Sequence, residues 1–494
     1  MMTSARQKLT AIRDYLKFAH TDRKITLSGP RWRSRSTTIL RFHLFTGISF
    51  VGLLFLSCSE TRSGEFPNVL LITLDTLRPD FLGAYGSNAG ASPEIDAFAL
   101  KSVVFDRAIA ASSRTVPSHA SIMTSLWVRE HSVGWANGSS RLNGEKSLAE
   151  VFRAGGYDTA AFVGNMLLGT PVGLDSGFDL YDDDLHDTEA NRSNFMERRA
   201  DESTERAMRW LAEERERPWF LWMHYQDAHG PYVPPEEHAA AVHLEIADEA
   251  PLPLLDKNRG KNGVPAYQVR PGSQTPSAYA ERYAGEIHFL DAWLGKLLRA
   301  VVEEDRNTIV LLTADHGESF GEEGLWFSHG FRTTPDQVHV PFILQAPGLN
   351  PGRRRGLVHH VDVAPTLIGL AGLEVPRGSR GIRLAKWLQS GRNLPIRSVF
   401  SDIGTEVSAY RGDHFIRVSL RKSDSESMYF SWTSTRNWFI SEFSEKQLSS
   451  DFEDYLEIQT DFVTVDEQSR LEHELRMRQL QALGYLEVGK EAEP

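Results

Sequence analysis

Four apolar runs, each ending on a polar residue, set the organisation of the chain. Residues 69–74 precede Asp75, residues 159–163 end near Asn165, residues 219–223 precede His224, and residues 308–314 precede Asp315. Unbroken runs of this length predict strands buried on both faces, as in a parallel sheet covered by helices. In open α/β sheets ligands bind beyond the carboxyl ends of the strands. The four polar ends therefore predict one site assembled from distant segments. Helical patterns separate the runs at residues 92–100, 118–125, 147–154 and 202–214, and a long one covers 277–304 with Ile287, Leu290, Leu294, Leu297 and Leu298 at helical spacing. The fold class read from this alternation is α/β.

Two stretches break the pattern. Residues 230–276 are rich in Pro and Gly with little periodicity; so long a loop is uncommon unless functional, and it is expected to form a flap over the site mouth. From about Arg377 the pattern changes to short strands at 399–401, 407–410 and 414–419, followed by a charged helix at 466–483. The expected organisation is a targeting segment at 1–57, a linker at 58–66, a catalytic domain at 67–376 and a C-terminal subdomain at 377–494.

Charge separates the N-terminus from the rest. Residues 1–57 hold ten Lys/Arg and two Asp/Glu, leaving 44 basic and 64 acidic residues, net −20, in the remainder. A body this acidic repels phosphate backbones, which excludes nucleic acid as the expected partner. The apolar run 44–56 follows Arg31, Arg33, Arg35 and Arg41 and is too short to span ~30 Å of hydrocarbon, but suits the core of a signal peptide. It ends in Leu-Phe-Leu-Ser-Cys58, similar to a bacterial lipobox. Export to a bacterial cell envelope or periplasm, with lipidation and membrane attachment at Cys58, is the expectation; an uncleaved anchor and an ordinary cleaved signal are the alternatives. Cys58 is the one cysteine, so no intramolecular disulfide forms.

The string Thr115-Val-Pro-Ser-His119 follows small residues and opens a helix at about Ser118. A hydroxyl at a helix N-terminus sits where backbone N–H groups and the dipole favour an anion, which suits a nucleophile attacking a phosphate or sulfate. The same residues also suit a simple helix cap.

Further motifs extend the string in order: Asp75-Thr-Leu-Arg78-Pro-Asp80, Gly83-Ala-Tyr85-Gly86, Ser92-Pro93-Glu-Ile-Asp96, Asp227-Ala-His229-Gly230-Pro231-Tyr232, Glu286 and Asp291, Asp315-His316-Gly317-Glu318, His329-Gly330 and Val340-Pro341. Together they resemble the sulfatase family of the alkaline-phosphatase superfamily over residues 67–370. The resemblance implies an alkaline-phosphatase-like sandwich with a mostly parallel central sheet and a smaller C-terminal α+β subdomain. It implies a divalent metal (Ca, Mg, Mn or Zn) held by Asp75, Thr115, Asp315 and His316, with one ion preferred over two. A second ion would use Asp227, His229 and His329. His229 and His329 are the implied catalytic histidines, and Asn165 and His119 are taken as substrate-binding.

Sulfatases carry Cys or Ser first in Cys/Ser-x-Pro-Ser-Arg and oxidise it to formylglycine; here Thr115 and His119 stand at the first and last positions. Thr76 replaces a second Asp. A direct threonine nucleophile resembles that of nucleotide pyrophosphatases, phosphonoacetate hydrolases and lipoteichoic-acid synthases. The expected function is metal-dependent hydrolysis of a small-molecule, glycan or lipid anionic ester, sulfate or phosphate, with phosphoesters favoured. The alternatives are a membrane-tethered transferase of a phospho group to lipid or glycan, and a non-catalytic binding protein. His131 and His224 are expected to be structural, Arg78 to orient Asp75 or to cap, and His359-His360 with Asp362 to serve a helix entry.

Overall fold

The computed structural model describes residues 66–134, 141–142, 144–244, 250–303, 307–420, 427–434, 437–440 and 446–458. Cys58 with its targeting segment and the helix expected at 466–483 lie outside the described residues.

The apolar runs form the middle of one sheet because both of their faces are covered. Thr308–Ala314 is buried throughout, and Asn68–Leu74 and Trp219–Tyr225 are buried after their first residue. Asn68–Leu74 lies between the other two and runs parallel to both, with Leu74 level with Ala314 and Tyr225. Asp75, Asp315 and Gln226 therefore leave the sheet at the same height. Asp158–Val163 pairs parallel with Trp219–Tyr225 on the far side, Val163 opposite His224. The eight-stranded order is Gly352–His359, Val103–Ile109, Phe342–Gln345, Thr308–Ala314, Asn68–Leu74, Trp219–Tyr225, Asp158–Val163, Leu180–Asp182. Only Phe342–Gln345 runs antiparallel to its neighbours.

Val103–Ile109 and Gly352–His359 form one margin of this sheet and escape the sequence pattern for a physical reason. Asp106 and Arg107 interrupt the first, and the Arg353-Arg354-Arg355 run opens the second; these positions reach solvent, where Arg353 pairs with Asp106. The short Leu180–Asp182 and Phe342–Gln345 strands carry too few residues to show a period.

Helices cover the sheet. Pro276–Leu298, the longest, starts on Thr275, whose hydroxyl accepts the Ala278 N–H at 3.3 Å. From its middle, Asp291 accepts the Glu94 and Ile95 N–H groups at 2.9 and 2.8 Å, capping helix Pro93–Leu100 in place of Ser92. Ser92 is not free to cap, because its hydroxyl donates to Asp96 and accepts from Gly83. No helix among the described residues is long and apolar enough to cross a membrane.

The C-terminal part is a five-stranded antiparallel sheet, Val399–Asp402, Glu406–Arg411, His414–Ser419, Ser427–Ser434 and Asn437–Ile440, backed by helix Lys446–Leu456. It has its own small core of Val407, Ile416, Val418, Leu448 and Phe452. It also braces the loops above the large sheet. Glu406 accepts the Thr333 N–H at 2.7 Å, Tyr410 donates to Thr333 O at 2.6 Å, and the Asp402 N–H donates to Ala111 O at 2.9 Å. Those two loops lead to Thr115 and follow His329.

Candidate active site

The turn after the central strand is strained and tightly held. Thr76 adopts φ 54°, a left-handed conformation costly for a β-branched residue. Its N–H donates to Asp315 Oδ1 at 3.1 Å and its carbonyl accepts the Tyr283 hydroxyl at 2.7 Å. This clamp aims Asp75 and Asp315 at each other. Gly317 lets the next loop close, since a Cβ there would fall on Asp336 O. Arg78 does not touch Asp75; its buried guanidinium binds Asp80, Glu318 O and Glu322, which corrects the role expected for it.

Thr115 is the first residue of helix Thr115–Thr124, buried at every position but Val116, so this helix opens three residues earlier than the sequence suggested. Its hydroxyl lies 3.3 Å from His316 Nε2. Ser118, the other hydroxyl considered, instead donates to Ser112 O and accepts the Ser112 N–H, shaping the approach loop. His360 ties this loop to the sheet: its Nδ1 accepts the Ala111 N–H and its Nε2–H donates to Ala314 O. Asp362 accepts the His359 N–H, the helix-entry role expected of that motif.

Asp75, Asp315 and His316 offer ligand atoms within 4.8 Å of one another, and all three are buried. Asp315 Oδ2 lies 3.4 Å and Asp75 Oδ1 3.9 Å from His316 Nε2. Both of these oxygens are buried without a hydrogen bond. Burial raises the Asp75 carboxyl, but His224, His229 and His316 outweigh it and hold the group below its usual range. Burial and the Asp75 charge push Asp315 well above its usual range. Two facing carboxylates with orphaned oxygens need a cation between them, so the donor set fits a hard divalent ion. His224, expected to be structural, lies inside this cluster. Its Nε2 is 3.6 Å from Asp75 Oδ2 and has no hydrogen bond, and with His119 and Asp315 it forms a second group at ligand spacing. His131 does serve structure, bonded to Ser121 and the Val133 N–H.

The two residues expected to bind substrate, His119 and Asn165, are both fully buried and bonded within the protein. His119 is fully buried, with Nδ1 on Thr115 O at 2.8 Å and Nε2 on Thr73 Oγ1 at 3.0 Å. Asn165, also fully buried, donates to Asp75 Oδ2 at 3.0 Å and Gln226 Oε1 at 2.7 Å and accepts the Leu167 N–H. The His119 ring nitrogens and the Asn165 amide are engaged within the protein, where they fix Thr115 and Asp75.

His229 and His329 do meet, ring centroids 5.1 Å apart, and His329 lies 4.5 Å from the His316 ring. Their surroundings separate them. Burial opposes the charged form of His229, but Glu189 at 3.4 Å and the Asp75 charge push it up to about 9. Burial and the neighbouring His229 push His329 down to about 3. At neutral pH one imidazole holds a proton and the other does not. Glu189 comes from a hairpin, Asp187–Glu189 with Arg192–Glu197, that the sequence pattern does not show. The long 230–276 segment reaches the site at its ends: Pro231 and Val233 line a cavity beside His229, and Tyr267 donates to Phe327 O, two residues before His329.

A family model described as Sulfatase matches residues 67–373. The chain belongs to the sulfatase family, whose members are ester hydrolases that depend on a metal. Among curated relatives, an arylsulfatase of Clostridium perfringens is 26% identical over 451 residues, covering 78% of this chain and 90% of the relative. Human iduronate 2-sulfatase is 26% identical over 415 residues, 67% of this chain and 75% of the relative. Among solved structures, the phosphonate monoester hydrolase of Agrobacterium radiobacter superposes with a TM-score of 0.58 at 21% identity, covering 85% of this chain and 96% of that one. A structure in complex with its substrate D-glucosamine-2-N,6-O-disulfate gives a TM-score of 0.61 at 17% identity, 87% and 100% covered. At these identities the structural likeness establishes the alkaline-phosphatase-like fold.

Proposed function

We propose that this chain hydrolyses phosphoric esters, through direct attack by Thr115, in preference to sulfate esters. The observation that carries the reading is Thr115 itself, buried at the start of its helix with its hydroxyl beside His316 and the Asp75–Asp315 pair. Oxidising a threonine Cβ gives a ketone, not the aldehyde that formylglycine supplies, so the sulfatase nucleophile is not made from this residue. Hydrolysis of a phosphonate monoester is named for the Agrobacterium protein on the same fold, which supports phosphorus chemistry on this scaffold. The relatives named for sulfate cleavage favour a glycan or other anionic ester as substrate.

Asp75, Asp315 and His316, with Thr115, would hold the ion. Bound there, a divalent ion would lower the hydroxyl's pKa, so that its proton is lost to water, and would neutralise charge on the ester. Thr115 Oγ1 then attacks phosphorus in line as the bond to the leaving oxygen breaks. His229, protonated through Glu189, gives its proton to that oxygen. Water attacks the phosphothreonine, returns a proton to His229, and releases Thr115. His329, neutral, packs against His229 and His316 and keeps both rings in place.

The test is a rate comparison on phosphate monoesters, phosphate diesters, phosphonates and sulfate esters with the metal-loaded protein. Rates highest on phosphorus esters are expected; rates highest on sulfate esters would overturn the reading of Thr115. A second expectation concerns the acid. His229→Gln should lower turnover by about 10²- to 10⁴-fold on alkyl esters and much less on nitrophenyl esters, whose leaving oxygen needs no proton. An equal loss on both classes would remove His229 from that role.

The N-terminal pattern supports export and anchoring at Cys58 as part of the same proposal.

A further inference from the structure

Beside His229 lies a cavity of about 250 Å³ whose lining sets four carboxyls, of Asp187, Glu197, Asp227 and Glu286, against two cationic groups, the Arg199 guanidinium and the protonated His229 imidazole. Outside the lining, Arg192 is held in a two-point pair with Glu189, and the Arg270 charge also acts on Glu286. Arg199, partly exposed, lies 3.6 Å from Asp227 Oδ1 and donates a long bond of 3.5 Å to Glu286 Oε2, whose Oε1 accepts the Val233 N–H. Asp227 is only 6% exposed and its Oδ2 has no hydrogen-bond partner. A buried carboxylate oxygen left unpaired this way is costly unless a ligand completes it.

The cavity is joined to the reacting cluster. His229 lines it, and Gln226 in its wall accepts from Asn165, which in turn donates to Asp75. An alcohol that takes its proton from His229 would lie at this space, because His229 lines it.

We infer that this cavity binds the leaving alcohol and selects one that carries an organic cation, an amino or quaternary ammonium group. The inference rests on the ester-hydrolase reading above and names the substrate class of that same site.

Two features favour an organic cation over a metal ion. Among the described residues, the groups with ligand atoms within 4.8 Å of one another are His119–His224–Asp315 and Asp75–Asp315–His316. The carboxyls of the cavity are not among them, so they are spread too widely to share one small ion but suit an ammonium group several ångströms across. The volume also admits a short amino alcohol. Burial, reinforced by the Glu189 and Asp227 charges, pushes Glu197 up to about 8, and burial with the Asp227 charge outweighs Arg199 and pushes Glu286 up to about 8; an ammonium group would occupy the place those protons take.

The experiment compares two isosteric phosphate monoesters, trimethylammonioethyl and 3,3-dimethylbutyl, which differ by N⁺ for C, with calorimetric binding of tetramethylammonium run alongside. In the wild-type protein kcat/KM should favour the cationic ester by about tenfold or more, and Glu286→Gln should bring the ratio towards one. Tetramethylammonium should bind the wild type and bind Glu286→Gln at least about tenfold more weakly. If Glu286→Gln does not fold, Glu197→Gln serves the same comparison. A ratio near one in the wild type, or a ratio unchanged in the variant, overturns the inference. So does a bound divalent ion that is lost in Glu286→Gln and kept in Asp315→Asn. If no ester is turned over, the hydrolase reading fails by itself; the tetramethylammonium measurement then still decides the cavity, absence of binding overturning it.

Discussion

Thr115→Ala is expected to lower turnover of phosphorus esters by on the order of 10⁴- to 10⁶-fold, the range seen when a covalent nucleophile is removed. The loss should fall on kcat, because the hydroxyl makes its bond only as the reaction proceeds. The fold should survive. Thr115 is buried, but its helix begins on Arg114 with no side-chain cap, and its hydroxyl makes only a long contact to His316, 3.3 Å, and an interaction with Asp315. Loss of these contacts costs about 1 kcal/mol. Thr115→Ser keeps the oxygen at the same point and should retain activity within about tenfold, since it forfeits a methyl group and some order in χ1. Rapid quench of the wild type with a labelled ester should trap label on Thr115. A Thr115→Ala protein that folds and still turns over at the wild-type rate would sink the mechanism.

The sequence showed those parts of the site whose positions follow from strands buried on both faces. Asp75 and Asp315 each follow an unbroken apolar run, and runs of this length read as interior strands of a covered sheet, whose ends converge. Thr115 stands out through its motif, although its helix begins three residues before the Ser118 that the pattern marks. Ser118 carries the same hydroxyl chemistry, and only the structure shows it spent on Ser112. His224 was harder. A histidine ending a buried strand is more often satisfied by backbone, and its Nδ1 does accept from Gly164; the approach of its Nε2 to Asp75 depends on the register with Asn68–Leu74.

His119 and Asn165 are the opposite case. Both are polar and near the nucleophile in sequence or at a strand end, but each points inward, and their hydrogen bonds are made within the protein. Glu189 gave no signal at all. Its hairpin is short, and much of it is exposed and polar, so no period marks it, yet it sets the charge of His229. Electrostatic partners brought together from separate loops are set by tertiary structure and leave no spacing in the chain.

Asp315→Asn should abolish metal binding and lower turnover by about 10³-fold or more, since an ion at such a site supplies several kcal/mol of charge stabilisation. The substitution is nearly isosteric. Asn can keep the two bonds that Asp315 Oδ1 accepts, from the Thr76 and His316 N–H groups at 3.1 and 2.7 Å. What changes is Oδ2, now orphaned and facing Asp75, which becomes an amide that can donate to it. The stability consequence therefore has a definite sign. With a chelator present, wild type carries two buried carboxyls in conflict and Asp315→Asn does not, so the variant should be at least as stable as the metal-free wild type. With metal at 100 times its dissociation constant, wild type should gain about 2.7 kcal/mol, and the variant should gain nothing. Metal content by elemental analysis and denaturant unfolding with and without chelator measure both arms. If Asp315→Asn retains stoichiometric metal, or if chelation leaves wild-type stability unchanged, then the Asp75–Asp315–His316 cluster is not where the ion resides. The His119–His224–Asp315 group shares that same carboxylate, so Asp75→Asn separates the two: it should remove the ion from the first group and spare the second.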